Sequence, residues 1–246
     1  MHHKTVLITG GARRIGAEIA RLLHAEGMNI VIHYRSTKTE AQQLCDQLNA
    51  TRPDSAIIVQ ADLLVINNLP DLINRTVNQW GRLDALVNNA STFYPTPVGN
   101  ITEAHWDDLM GSNLKAPLFL SQAAAPHLAR QQGCIVNIID VHGFRPMKNH
   151  TVYCAAKAGL AMLTQSLAKE LGPAIRVNGV APGAIMWPEN NLEQDEALRQ
   201  MILERTALKR QGTPHDIAAA VRFLIRDADY ITGQVIPVCG GRSINI

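Results

Sequence analysis

The sequence predicts an α/β fold, one doubly wound parallel sheet of seven strands with helices on both faces. Short β-branched runs alternate with longer segments of helical periodicity, and most of the runs are apolar throughout, as strands covered on both faces must be. The runs lie at Lys4–Thr9, Asn29–His33, Ala56–Gln60, Ala85–Val87, Cys134–Ile139, Arg176–Val180 and Gln234–Val238. A chain of 246 residues, 46% of them apolar, can bury one large core. No repeat, low-complexity stretch or composition shift divides it, so residues 1–246 are expected to form one domain.

The first crossover is clearly marked. Between the first two strands Ile15, Ile19, Leu22 and Leu23 recur at helical spacing, and Gly27 stands where a left-handed cap ends a helix. The turn into that helix reads Thr9-Gly10-Gly11-Ala12-Arg13-Arg14-Ile15-Gly16. Such a turn offers backbone N–H groups and a helix dipole to a pyrophosphate, although the strict GxGxxG spacing is absent. Arg14 can neutralise that pyrophosphate and extend its planar fork toward a second ligand.

Strand two runs into His33-Tyr34-Arg35-Ser36, with no carboxylate to bind the ribose hydroxyls of NAD. Arg35 and Ser36, joined by Arg13, suit the 2′-phosphate of NADPH; the alternative is a solvated basic turn. Farther on, Tyr153 and Lys157 stand four residues apart and so share a helix face. A cation beside a phenol favours its ionised form, and the pair reads as acid/base machinery. Between Pro182 and Pro214 the chain is least regular, with Trp187, Pro188 and a polar run over Glu189–Glu196, read either as a lid or as a surface helical excursion.

Composition narrows the partners. A formal charge of +2, without a block of like charges, argues against nucleic acid or a membrane surface and for a small molecule. The four cysteines form no CxxC pair or disulfide framework, and no signal peptide or long apolar run is found, so a reduced, cytoplasmic protein is expected. No metal is expected. The adjacent His2 and His3 are assigned no role.

The glycine loop, Asn88-Asn89-Ala90, Asn113, Tyr153 with Lys157, and Pro182-Gly183 follow one another in an order that resembles the short-chain dehydrogenase/reductases across nearly the whole chain. The resemblance implies a Rossmann fold. It also implies NADPH contacts at Gly10, Arg13, Arg14, Ile15, His33, Tyr34, Arg35, Ser36, Asp62, Leu63, Asn89, Ala90, Ser91, Tyr153, Lys157, Pro182 and Gly183. Asp62 is the family's adenine-contacting aspartate by this reading, or else a helix cap. Asn113 matches the asparagine that holds a relay water near the lysine.

One departure narrows the subfamily. Thirteen residues before Tyr153, where most members carry serine, this chain has Asp140. An ionised aspartate cannot donate to a ketone oxygen, and its charge should raise the Tyr153 pKa and keep the phenol protonated. That suits protonation of nitrogen during C=N reduction. Asp140, the Ala-Arg-Arg-Ile-Gly loop and Asn-Ala-Ser-Thr-Phe-Tyr-Pro-Thr-Pro resemble the pteridine reductases.

That resemblance implies a pterin or folate substrate stacked on Phe93 and held by Arg14, Ser91, Asp140, Tyr153 and Trp187. It implies Asp140, Tyr153, Lys157 and Asn113 as the catalytic group. The family also implies a homotetramer built on the helix after Tyr153 and on Cys239–Ile246. Cys154 is read as a packing residue, and His142 and His150 receive no catalytic role. Two alternatives stand beside this reading: a generic carbonyl reductase acting on 3-oxoacyl thioesters or sugars, and a module that binds NADPH without turnover.

Overall fold

The computed structural model describes residues 1, 3–186 and 196–244; Trp187 and the polar run as far as residue 195 lie outside the described residues. In chain order the elements are β1 (Thr5–Ile8), α1 (Arg14–Ala25), β2 (Asn29–Tyr34), α2 (Lys38–Thr51), β3 (Ala56–Gln60), α3 (Leu69–Trp80), β4 (Ala85–Asn88), α4 (Glu103–Met110), α5 (Ala116–Arg130), β5 (Cys134–Ile138), α6 (Thr151–Leu171), β6 (Arg176–Pro182), α7 (Glu196–Glu204), α8 (Pro214–Arg226) and β7 (Val235–Val238).

All seven strands pair in one parallel sheet of order β3-β2-β1-β4-β5-β6-β7. The order reverses between β1 and β4, which opens a crevice at the carboxyl ends of those strands, where this architecture binds ligands. Side chains alternate across each strand, so one sheet face packs on α1, α2 and α8 through Ile19, Leu23, Leu44, Val221 and Leu224. The other packs on α3, α5 and α6 through Leu72, Ile73, Leu120, Leu128 and Ala168. Among the described residues no helix is long and apolar enough to cross a membrane.

The predicted strands are all present, with shifted ends. β6 runs on to Pro182 because Gly179–Pro182 pair with Val235–Val238. β1 is shorter by a residue at each end, and β2 and β4 each gain one polar residue, Tyr34 and Asn88, paired to Gln60 and Asn137. β5 ends one residue early, at Ile138, and β7 begins one late, at Val235. Within the irregular stretch a helix, α7, occupies Glu196–Glu204. After α1, Gly27 adopts φ 92°, and Gly27 N and Met28 N donate to His24 O and Leu23 O, closing the helix with a left-handed cap.

The turn from β1 to α1 contains a conformational anomaly that bears on the site. Arg14 has φ 53°, in the left-handed region that favours glycine. Gly16 cannot be replaced: a Cβ there would lie 2.7 Å from Asn89 Nδ2 and 2.9 Å from Gly11 Cα. Arg14 is therefore a strained residue on an otherwise close-fitting loop, and its exposed side chain contributes little packing in return. Arg14→Gly should raise unfolding free energy by about 1 kcal/mol and the melting temperature by about 3 °C. Calorimetry of the ligand-free protein checks this; a lower melting temperature would show that the loop is not strained at Arg14.

Candidate active site

The switch-point crevice is built by lacing β1 to β4. Thr9 Oγ1 accepts from Asn89 N and Ala90 N at 2.9 and 3.0 Å, and Asn89 Nδ2 donates to Thr9 O and Gly10 O at 2.9 and 3.1 Å. Behind them Asn88 Nδ2 donates to Asn137 Oδ1 at 2.8 Å, and Asn137 Nδ2 to Thr164 Oγ1 at 2.9 Å, tying β4 and β5 to α6. These buried amides repay their desolvation only when paired, so they set the register of the three elements that carry the site.

The glycine loop is held from the other side by His33. Gly10 N donates to His33 Nδ1 at 3.1 Å, which makes that nitrogen the unprotonated one; Nε2–H then donates to Ala61 O at 3.1 Å. Both ring nitrogens are thus spent inside the protein. His33 positions the loop rather than offering a free donor to a ligand. Tyr34 is buried in the core, while Arg35 and Ser36 are exposed at the end of β2. Arg13 is exposed and reaches Glu40 at 3.5 Å, an ion pair of little strength in solvent.

Asp62 Oδ1 accepts from Leu64 N at 3.0 Å, capping its own turn, and Leu63 is buried. Gly183 N donates to Val238 O at 3.1 Å beyond buried Pro182. A dinucleotide fits this edge: a bare glycine turn opening a helix, exposed cations at the β2 end, and no acid there.

Asp140, Tyr153, Lys157, Asn113, Ser91 and Phe93 converge beyond the loop. Asp140 ends the β5 segment in extended conformation and caps a short turn over Val141–Gly143. Its Oδ1 accepts from His142 N at 2.8 Å, and its Oδ2 accepts from Tyr153 Oη at 2.9 Å. Burial, then the charge and hydrogen bond of Asp140, push the Tyr153 phenol well above its usual range. Lys157 is buried, donates to Ile138 O at 2.9 Å and has its Nζ 5.7 Å from the Tyr153 ring centre. Burial pulls its pKa down to about 8, with Asp140 opposing the fall.

Asn113 lies in a π turn over Gly111–Lys115 between α4 and α5, a wide turn of the kind that recurs at functional sites. Its Nδ2 donates to Thr92 O and Leu109 O at 3.0 and 2.9 Å, and its Oδ1 accepts from Ser91 Oγ at 2.6 Å. Thr92 Oγ1 pairs with Ser112 Oγ at 2.6 Å and Tyr94 Oη donates to Asp108 Oδ2 at 3.0 Å. The segment over Ser91–Tyr94 is thereby fixed to α4 and the π turn.

Phe93 is not a buried core aromatic. It is 48% exposed, stacked on His150 with ring centres 4.7 Å apart and edge-to-face with Tyr153 at 4.8 Å. From the sequence His150 receives no catalytic role. It is buried, its Nδ1 bonds Lys148 O at 2.9 Å, and Thr96 N donates to Asn149 O at 2.5 Å beside it. His150 therefore backs Phe93 and sets its angle. Nothing in the local sequence signals this, because the two residues meet only across the fold. Cys154 Sγ accepts from Met147 N at 3.4 Å, a packing contact. Among the described residues no cluster of metal-ligating side chains occurs.

The profile of the family described as enoyl-(acyl carrier protein) reductase matches residues 10–243. The chain is 38% identical to pteridine reductase 1 of Leishmania tarentolae, over 97% of this chain and 96% of that one. It is 37% identical to a 3-oxoacyl-acyl-carrier-protein reductase of Staphylococcus epidermidis, over 97% of this chain and 98% of that one. The corresponding Staphylococcus aureus protein is 38% identical, over 97% of each chain. Identity alone thus does not separate the two activities.

The His33 latch makes stability pH-dependent. Burial lowers the His33 pKa from 6.5 to about 4, so below pH 6.5 the unfolded chain binds a proton that the folded chain refuses. This contribution to stability is whole above pH 6.5 and declines as pH falls toward 4, by about 2 kcal/mol between pH 7 and pH 5. Urea unfolding at those two pH values should give a stability loss smaller by that amount in His33→Gln than in the wild type. Equal losses would mean that His33 is not held neutral.

Proposed function

The chain belongs to the short-chain dehydrogenase/reductase family, and from that premise we propose that it is an NADPH-dependent pteridine reductase. It is an oxidoreductase by family; the pterin is our reading of the site. The observation that carries it is the Tyr153 hydroxyl donating to Asp140 at 2.9 Å beside the half-exposed ring of Phe93. A carbonyl reductase gains nothing from an anion at the position where a donor should polarise a ketone oxygen. A flat heterocycle, by contrast, gains stacking energy from Phe93, of about 1 kcal/mol beyond the area it covers.

Bound NADPH supplies a hydride to the ring carbon of a C=N bond in the pterin. The chain supplies the proton. Tyr153 stays loaded across the physiological range because burial and Asp140 oppose its ionisation. As the carbon gains hydride, the C=N π pair becomes the nitrogen lone pair that takes the Tyr153 proton, and solvent restores the phenol. Asp140 orients the hydroxyl through Oδ2 while His142 N holds Oδ1.

Lys157 spends one of its three hydrogens on Ile138 O and keeps two for a ribose. Asn113 orients Ser91, whose hydroxyl lies at the ligand edge of the site. Arg14 faces solvent from the glycine loop, free to bridge the pyrophosphate and the pterin, and we assign its strained backbone to that use. Arg35 and Ser36 suit the 2′-phosphate.

We place the enzyme in the cytoplasm as a homotetramer. Exposed apolar side chains on the helices, Leu118 on α5 and Met162 on α6, support self-association.

Turnover of a dihydropterin or dihydrofolate, followed by loss of NADPH absorbance, is expected to exceed that of a 3-oxoacyl thioester. The reverse order would establish the carbonyl reductase instead, and binding without turnover the sensing module. Tyr153→Phe and Asp140→Ala should each lower kcat by at least about a hundredfold, the scale of a lost positioned acid. Near-normal turnover in either variant contradicts the assignment. NADPH should be used with kcat/KM at least about tenfold above NADH, and Arg35→Glu should erase the difference; steady-state kinetics with both nucleotides decides it.

A further inference from the structure

Beyond the catalytic group, the substrate end of the crevice carries positive charge that the reduction does not use. β7 leads through Gly240 and Gly241, at φ 60° and 81°, into a short turn over Arg242–Ile244. Cys239 Sγ accepts from Ser243 N at 3.5 Å, and Arg145, from the segment after Asp140, donates through Nε to Ser243 O at 3.4 Å. On the other side Leu208 N donates to Gly240 O at 3.0 Å. A Cβ at Gly241 would lie 2.6 Å from Ala207 Cβ, so the C-terminal turn packs tightly on the segment after α7. Three separate parts of the chain thus bring Arg145, Arg205 and Arg242 to one place.

Arg242 is the centre of this group. Its Nε is buried and has no hydrogen-bond partner among the described residues. Its guanidinium lies within electrostatic reach of Asp140, which attracts it, and of Arg205, which repels it. Asp140 carries a single negative charge against three guanidinium groups, and each of its oxygens already accepts a hydrogen bond, from His142 N and from Tyr153 Oη. No ion pair involves Arg145, Arg205 or Arg242 among the described residues. A buried donor without an acceptor is costly, and like charges held near one another add to that cost. Neighbouring guanidinium groups with donors to spare are satisfied by an anion with several oxygens.

We propose that Arg242 and Arg205, with Arg145 at the rim, form a subsite for an anionic substituent of the substrate, so that the preferred substrate is a pterin with a carboxylate or phosphate on its tail. This rests on the pterin reading above and adds to it the charge of the tail. Arg242 lies within electrostatic reach of Asp140, so a bicycle stacked on the exposed face of Phe93 beside Tyr153 can direct its substituent toward the cluster. Specificity then comes from the tail, while reduction comes from the ring.

The test compares kcat/KM for dihydrofolate, whose tail carries carboxylates, a dihydropterin phosphate ester, and dihydrobiopterin, whose tail is neutral. In the wild type at least one anionic substrate should exceed the neutral one, and its KM should rise with added salt while that of dihydrobiopterin barely moves. Which anionic substrate leads separates carboxylate from phosphate. Arg205→Gln and Arg242→Gln should each lower the ratio of anionic to neutral kcat/KM by at least about tenfold. Arg205 is exposed at the end of α7, so its variant folds even if the Arg242 variant does not. Turnover of dihydrobiopterin with an unaltered ratio in the variants rejects the subsite alone. Absence of turnover on all three pterins rejects the reaction, and the subsite with it.

Discussion

A phenol held in its protonated form is the constraint around which this site is organised. Tyr153 is buried on α6 and donates to Asp140, and both facts oppose loss of its proton. The carboxylate that imposes this is itself fixed, one oxygen to a backbone N–H and the other to the phenol. Lys157, the residue that would draw the proton off, is held beneath the ring by Ile138 O, and burial weakens its own hold on charge. Between one anion and one cation weakened by burial, the tyrosine keeps its proton.

The geometry around that phenol depends on buried polar groups that pair with one another and with nearby backbone carbonyls. Asn88, Asn137 and Thr164 form a buried chain from β4 through β5 to α6, so the strand ends and the helix bearing Tyr153 move as one body. Asn113 does the same for the loop side, reaching Thr92 O, Leu109 O and Ser91 Oγ from a turn widened to accommodate it. Phe93 sits at the junction of these two bodies. It can present an exposed face because His150 supports one side of its ring and Tyr153 meets it edge-on.

Strain and stability are traded at the glycine loop. Gly16 is forced by its closeness to Asn89 and Gly11, and His33 pins Gly10 from β2. Arg14 keeps a left-handed backbone in the midst of this, a strain of the kind that gathers at functional sites. A guanidinium at that point lies at the crevice mouth beside the strand ends that carry the remainder of the site.

Periodicity was sufficient for the sheet, because strands buried on both faces must be apolar throughout and crossover helices must be amphipathic; only the strand ends moved, where pairing with a neighbour decides how far a strand runs. Spacing along one helix was sufficient for Tyr153 and Lys157, and the departure at Asp140 was legible because it stands at a fixed distance from them. What no local pattern encodes is contact between distant segments. His150 behind Phe93, His33 closed on both nitrogens, and Arg242 brought beside Asp140 from the far end of the chain all arise from tertiary packing. A residue's chemical type is a property of the chain, but the partners that set its charge, orientation and exposure are chosen only when the sheet closes over its helices.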